Sequence, residues 1–135
     1  MLRGKKLVCD SSFLISVAKG DKKVESLWNK IKRGEIQLLI PSISFTAFCS
    51  ELLKASEDRF VDVFLAAIRT MLNVKVIPID LGIAMEAGHF VKKGLSFEAA
   101  IVIATASMHK VDGIISINKR EYVDKVDVPV FDGEL

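Results

Sequence analysis

This 135-residue sequence predicts an α/β fold: a parallel sheet of four or five strands flanked by helices. Three observations lead there. Short apolar runs of strand length recur along the chain and are separated by longer segments with helical periodicity. The two kinds of segment alternate almost from end to end, and connections of that length produce right-handed crossovers between parallel strands. Half of the residues are hydrophobic and 27% are charged, the profile of a globular domain with one core, so residues 1–135 read as a single domain.

In chain order, the run from Lys6 to Cys9 is the first strand. It stops at Asp10, after which Phe13, Leu14, Val17 and Ala18 open a short helix that ends near Lys19 and Gly20. Asp21 caps a second helix whose apolar residues Val24, Leu27, Trp28 and Ile31 fall at helical spacing, and Gly34 closes it. Ile36 to Ile40 is the second strand, ending in Pro41. A third helix starts at Ser42 or Ser44, and a fourth runs from about Glu57 to Leu72. Val74 to Ile79 forms the third strand, followed by Asp80 and a fifth helix to about Lys93. Ser96 starts a sixth helix, apolar nearly all round and hence buried on more than one side. Gly113 to Ile117 and Val128 to Phe131 complete the strands.

Composition narrows the functional classes. The net charge of +2 neither demands nor excludes a nucleic-acid partner. No apolar run approaches the ~20 residues of a membrane span. The first residues carry no signal-peptide core, so a cytoplasmic location is expected. Cys9 and Cys49 lie far apart in apolar stretches and read as reduced core residues. No glycine-rich dinucleotide or P-loop fingerprint is present.

The candidate chemistry lies where strands end. Asp10, Asp80, Asn118 and Asp132 each follow an apolar run, and in a parallel sheet those ends share the edge where ligands bind. Clustered carboxylates repel one another, and a hard divalent cation such as Mg²⁺ or Mn²⁺ relieves this. Asp10 is the candidate centre of the site; it also has the chemistry of a helix cap, with Ser11 or Ser12 sharing that task. Asp80 reads mainly as a cap, and Asp132 as a solvated residue. Lys92, Lys93, Lys119 and Arg120 flank the same edge and could touch phosphates.

Three stretches resemble the PIN domain family. They are Leu7-Val8-Cys9-Asp10-Ser11-Ser12-Phe13-Leu14-Ile15, then Ile40-Pro41-Ser42-Ile43-Ser44-Phe45, then Leu95 to Ala106 with Gly113-Ile114-Ile115-Ser116-Ile117-Asn118. The resemblance implies a three-layer α/β/α fold and a Mg²⁺- or Mn²⁺-dependent ribonuclease like the VapC toxins of toxin–antitoxin pairs. It also implies three or four acids that hold metal and activate water. Asp10 matches the first acid and Asn118 the fourth position, so these two are the expected metal ligands. The second and third acids fall on Ala47 and Ala99. Glu51 lies one helical turn beyond Ala47 on the same face, and Glu98 immediately precedes Ala99, rotated from it by ~100°. Both are candidate substitutes. The resemblance therefore leaves two functions open. One is a nuclease working with Asp10, Glu51, Glu98 and Asn118. The other is a catalytically silent PIN domain, without metal, that binds RNA or a protein such as an antitoxin. The apolar faces of the third and fourth helices also suit a homodimer.

Overall fold

The computed structural model describes residues 4–133. Five strands form one fully parallel sheet: β1 (Lys5–Cys9), β2 (Ile36–Pro41), β3 (Val74–Ile77), β4 (Gly113–Ile115) and β5 (Val130–Phe131), in the order β3-β2-β1-β4-β5. Six helices connect them: α1 (Ser11–Ala18), α2 (Lys22–Lys32), α3 (Ser42–Lys54), α4 (Asp58–Arg69), α5 (Leu81–Lys92) and α6 (Phe97–Met108). A 3₁₀ turn over Lys119–Glu121 follows β4. The chain winds outward from β1 through β2 to β3, then crosses to the other side of β1 for β4 and β5. The strand order thus reverses between β1 and β4, and open α/β sheets bind ligands outside the carboxyl ends of the strands at such a point.

Alternation along the central strand assigns the layers. Leu7 and Cys9 point to one face, where Phe13 and Leu14 of α1, Val24, Leu27 and Ile31 of α2, and Phe48, Phe64 and Ile68 of α3 and α4 close the larger core. Val8, with Leu39 and Ile114, points to the other, against Ala99, Val102, Ile103 and Ala106 of α6. Helix α6 is buried from Ala99 to Ala106 because the sheet covers one side and α5 the other, through Ile83 and Ala87 against Ala100 and Ala104. Its alanines let both neighbours approach closely.

Local chemistry sets the element ends. Asp21, Asp80 and Ser96 cap α2, α5 and α6 with side-chain oxygens that accept the N–H groups of Lys23, Ile83 and Ala99. Two of the acids at strand ends are thereby accounted for: Asp80 is a cap, and Asp132 lies 3.5 Å from Lys23 Nζ in an ion pair. Strand β3 stops at Ile77, two residues short of the expected Ile79, since Pro78 has no N–H to continue the ladder. Strand β4 also ends early, at Ile115, because the N–H groups of Ile117 and Asn118 turn to side-chain hydroxyls described below. Gly113 starts β4 where a Cβ would lie 2.7 Å from the Phe131 ring and 3.1 Å from the Pro129 carbonyl oxygen. Glycine is what allows the close approach of β5.

The apolar faces of α3 and α4 serve the core first. Phe48 packs tilted against Phe64 with 4.9 Å between centroids, and Phe64 stacks at 5.5 Å on Trp28. Leu53, Phe60 and Val63 are left exposed. Truncation of the fully buried Phe48 to alanine is expected to destabilise the fold by about 3–5 kcal/mol, read by denaturant unfolding.

Candidate functional site

The last residue of β1 leads directly into Asp10, whose extended backbone caps α1. Both sequence-level readings of Asp10 hold together. It accepts the Phe13 N–H at 3.4 Å as a helix cap, and it is the buried centre of a polar network, only 2% exposed. Oδ1 also accepts the Ser12 hydroxyl at 2.5 Å. Oδ2 accepts the Ser116 hydroxyl at 2.5 Å and the Tyr122 hydroxyl at 3.0 Å. A carboxylate offers about four lone-pair sites, and here four donors meet them.

The two serines act in both directions. While each gives its proton to Asp10, Ser12 Oγ accepts the Ile117 N–H at 2.9 Å and Ser116 Oγ accepts the Asn118 N–H at 3.0 Å. The turn after β1 is thereby tied to the turn after β4 through one carboxylate. A buried charge is tolerated only when it is compensated. Among the described residues no Lys or Arg pairs with Asp10, so hydrogen bonds and the positive end of α1 supply the compensation.

Glu98, in the first turn of α6, reaches the same helix end. Its carboxylate accepts the Ser11 N–H at 2.7 Å and the Ser11 hydroxyl at 2.9 Å. The rotation away from the Ala99 position therefore does not remove Glu98 from this edge; it docks on the turn beside Asp10. Glu51 is different. It is exposed on α3 and makes no hydrogen bond or ion pair to Asp10 or Glu98 within the described residues. Asn118 leads into the 3₁₀ turn with its side chain exposed, and only its N–H enters the network. Ala99 is buried and Ala47 half-buried, and Ser44, in the first turn of α3, has a buried hydroxyl with no partner among the described residues.

Tyr122 and Glu121 lie outside the three family-like stretches and Ser116 within the last of them, and all three belong to this site. Burial pushes the carboxyl of Glu121 up, the Asp10 and Glu98 charges push it further, and Lys125 opposes them. Glu121 thus lies within the field of both carboxylates. Tyr122 is the only tyrosine of the chain and is fully buried. A lone buried tyrosine must find a partner for its hydroxyl, and that was the available signal. The Cys9 thiol is pushed up by burial, then by Asp10 and Glu98, as befits an inert core residue.

This donor set does not fit a Mg²⁺ or Mn²⁺ ion. The acceptor positions of Asp10 are filled by hydroxyl and N–H donors, and both oxygens of Glu98 are engaged by Ser11. Among the described residues no three His, Cys, Asp or Glu side chains are grouped to hold a metal ion.

Burial holds Tyr122 in its neutral form, reinforced by the Asp10 charge and the hydrogen bond to it, so its pKa is driven far above the ordinary 10.0. The native state then keeps a proton that the unfolded chain releases. Stability contributed by this group is intact below pH 10.0 and falls as pH rises beyond it, by about 1.4 kcal/mol per pH unit. In an alkaline titration, phenolate absorbance is expected to rise only together with loss of the circular dichroism signal. Tyr122→Phe should remove that coupling and cost about 1.5–3 kcal/mol at neutral pH, the range for hydrogen bonds to charged groups.

Comparison with known proteins agrees with this fold. The PIN domain family model matches residues 7–127. A search of curated protein sequences finds no relative. Among solved structures, a toxin–antitoxin complex from Klebsiella pneumoniae aligns with a TM-score of 0.71 and 19% identity, covering 90% of this chain and 94% of that one. VapC20 of Mycobacterium tuberculosis, described as a sarcin–ricin-loop-cleaving toxin, gives 0.71 and 14%, covering 90% and 98%. DNA-bound VapBC of Salmonella typhimurium gives 0.71 and 14%, covering 93% and 96%. At these identities the structures establish the fold, which is that of the VapC toxins, and the family model establishes the membership: this chain belongs to the PIN domain family.

Proposed function

We propose that this protein is a PIN domain that binds single-stranded RNA at the carboxyl edge of its sheet without hydrolysing it. The observation that carries this reading is the state of Asp10. The one acid that matches the family pattern is saturated by Ser12, Phe13, Ser116 and Tyr122. A divalent ion draws much of its affinity from charged oxygen ligands, and alanine stands at two positions where acids are expected. Glu98 caps α1 and Glu51 faces solvent, so neither replaces them. The basic residues at this edge support a polyanionic partner: Lys119 and Arg120 line one cleft, Lys93 and Lys125 another.

Calorimetric titration with Mn²⁺ is expected to show no micromolar binding, and an oligoribonucleotide incubated with Mn²⁺ should be bound yet remain intact. Mn²⁺-dependent cleavage that disappears in Asp10→Asn would overturn the reading and return the protein to the metal-dependent nucleases, with Asp10, Glu98 and Asn118 as the residues to test next.

A protein partner is a second reading. It is favoured by the exposed Leu53, Phe60 and Val63 on α3 and α4, and by structural neighbours that are toxins held in antitoxin complexes. The same surface suits a homodimer. Sedimentation velocity over a wide concentration range should show a dimer that Val63→Lys dissociates; a monomer throughout would exclude self-association and leave the surface to an antitoxin-like protein.

A further inference from the structure

We propose that the cleft between the end of α5 and the segment after the 3₁₀ turn seats one backbone phosphate of the bound RNA between Lys93 and Lys125. This inference rests on the RNA-binding reading above and assigns that reading a position on the molecule.

The cleft has a volume of about 160 Å³ and is lined by Lys93, Ser96, Ala99, Glu121 and Lys125, among others. That is far above the ~10–15 Å³ that a single water requires. Two of its walls bring cations from distant parts of the chain. Lys93 follows α5, and its ammonium lies 5.6 Å from the centroid of the Phe90 ring, which favours a defined position for the charge. Lys125 comes from the segment after Tyr122, where its charge opposes the upward push on Glu121. Neither lysine forms an ion pair among the described residues. Two ammonium groups line this concavity against the single carboxylate of Glu121, and the excess positive charge attracts an anion.

The surroundings select a phosphodiester over a free carboxylate or a metal. Ala99 and Glu121 belong both to this cleft and to the border of the Asp10–Glu98 site, so an anion seated here lies directly beside the edge where the strand order reverses. The N-terminus of α6 is not the attractant, because Ser96 Oγ already caps it. Lys125 also lines a second cavity of about 260 Å³ with Lys110, Asp127, Phe90 and Val128, where two lysines outweigh one carboxylate and continue the track away from the site. A chain of regularly spaced anions fits such a track, whereas a compact ligand would use one cleft alone. Lysines supply point charges without base recognition, so this seat positions the strand and does not read its sequence.

The test uses the full chain and a fluorescently labelled single-stranded oligoribonucleotide, with anisotropy measured over a series of salt concentrations. The double variant Lys93→Ala, Lys125→Ala is compared with a control that loses two exposed lysines elsewhere, Lys22→Ala, Lys54→Ala. Both variants should keep the wild-type melting curve. Loss of the seat for one phosphate should reduce the salt slope by about 0.7 and weaken binding about fivefold at about 0.1 M salt, while the control is unchanged. Wild-type binding with equal slopes in all three proteins would overturn the seat and leave the RNA reading standing. Equal weakening in the test and control variants would also overturn it, by showing that net charge alone matters. Absence of RNA binding in the wild type would overturn the RNA reading itself.

Discussion

The buried carboxylate of Asp10 is the point on which this architecture depends. It lies at the end of the central strand, where the ladder runs out and the first helix begins, and it cannot be left uncompensated there. Two hydroxyls from one turn and one strand end, a phenol from beyond the 3₁₀ turn and a helix N–H share that charge. Because the serines also accept N–H groups from Ile117 and Asn118, the same interaction ends β4 and shapes the turn after it. A single ionised group thus fixes the relation between the two strands that flank the reversal of strand order.

That arrangement underlies the proposed reading of the site. A carboxylate whose acceptor sites are filled by hydroxyl and amide donors is a strong structural element and a poor metal ligand. In a family whose resemblance implies metal-dependent hydrolysis, the polar network stabilises the fold at the very position where a cation would gather. Glu98 follows the same logic: its two oxygens close the open N-terminus of α1 through Ser11. The carboxyl of Glu121 is pushed up by burial, and further by both neighbouring carboxylates. Charge at this edge therefore runs in two zones, an acidic centre bound into the fold and a basic rim facing outward.

Much of the fold was legible in the residues. The alternation of apolar runs and helical segments identified the strands and helices, and the nearly uniform apolarity of residues 99–106 announced a helix covered on two sides. Glycine and proline marked most boundaries. Strands β3 and β4 each end two residues before their apolar runs do. In β3, Pro78 interrupts hydrogen bonding although the side chains beyond it remain apolar. In β4, Ile117 continues the apolar pattern while its N–H is claimed by Ser12. Apolar patterning reports where side chains are buried, and only hydrogen-bond partners decide where a ladder stops.

The candidate site divides along the same physical line. The sequence by itself determined the α/β class, the place of Asp10 at a strand end, and the alanines at positions 47 and 99, because these are matters of local order and residue identity. Only the tertiary structure decided which groups meet Asp10. Ser116 and Tyr122 lie more than a hundred residues away along the chain, and their approach depends on β4 pairing with β1. The structure likewise decided that Glu98 reaches Ser11, although its helical position alone turned it away, since a glutamate side chain spans the distance that a rotation of ~100° opens. Side-chain reach and strand pairing are properties of the assembled layers, and no spacing in one segment encodes them.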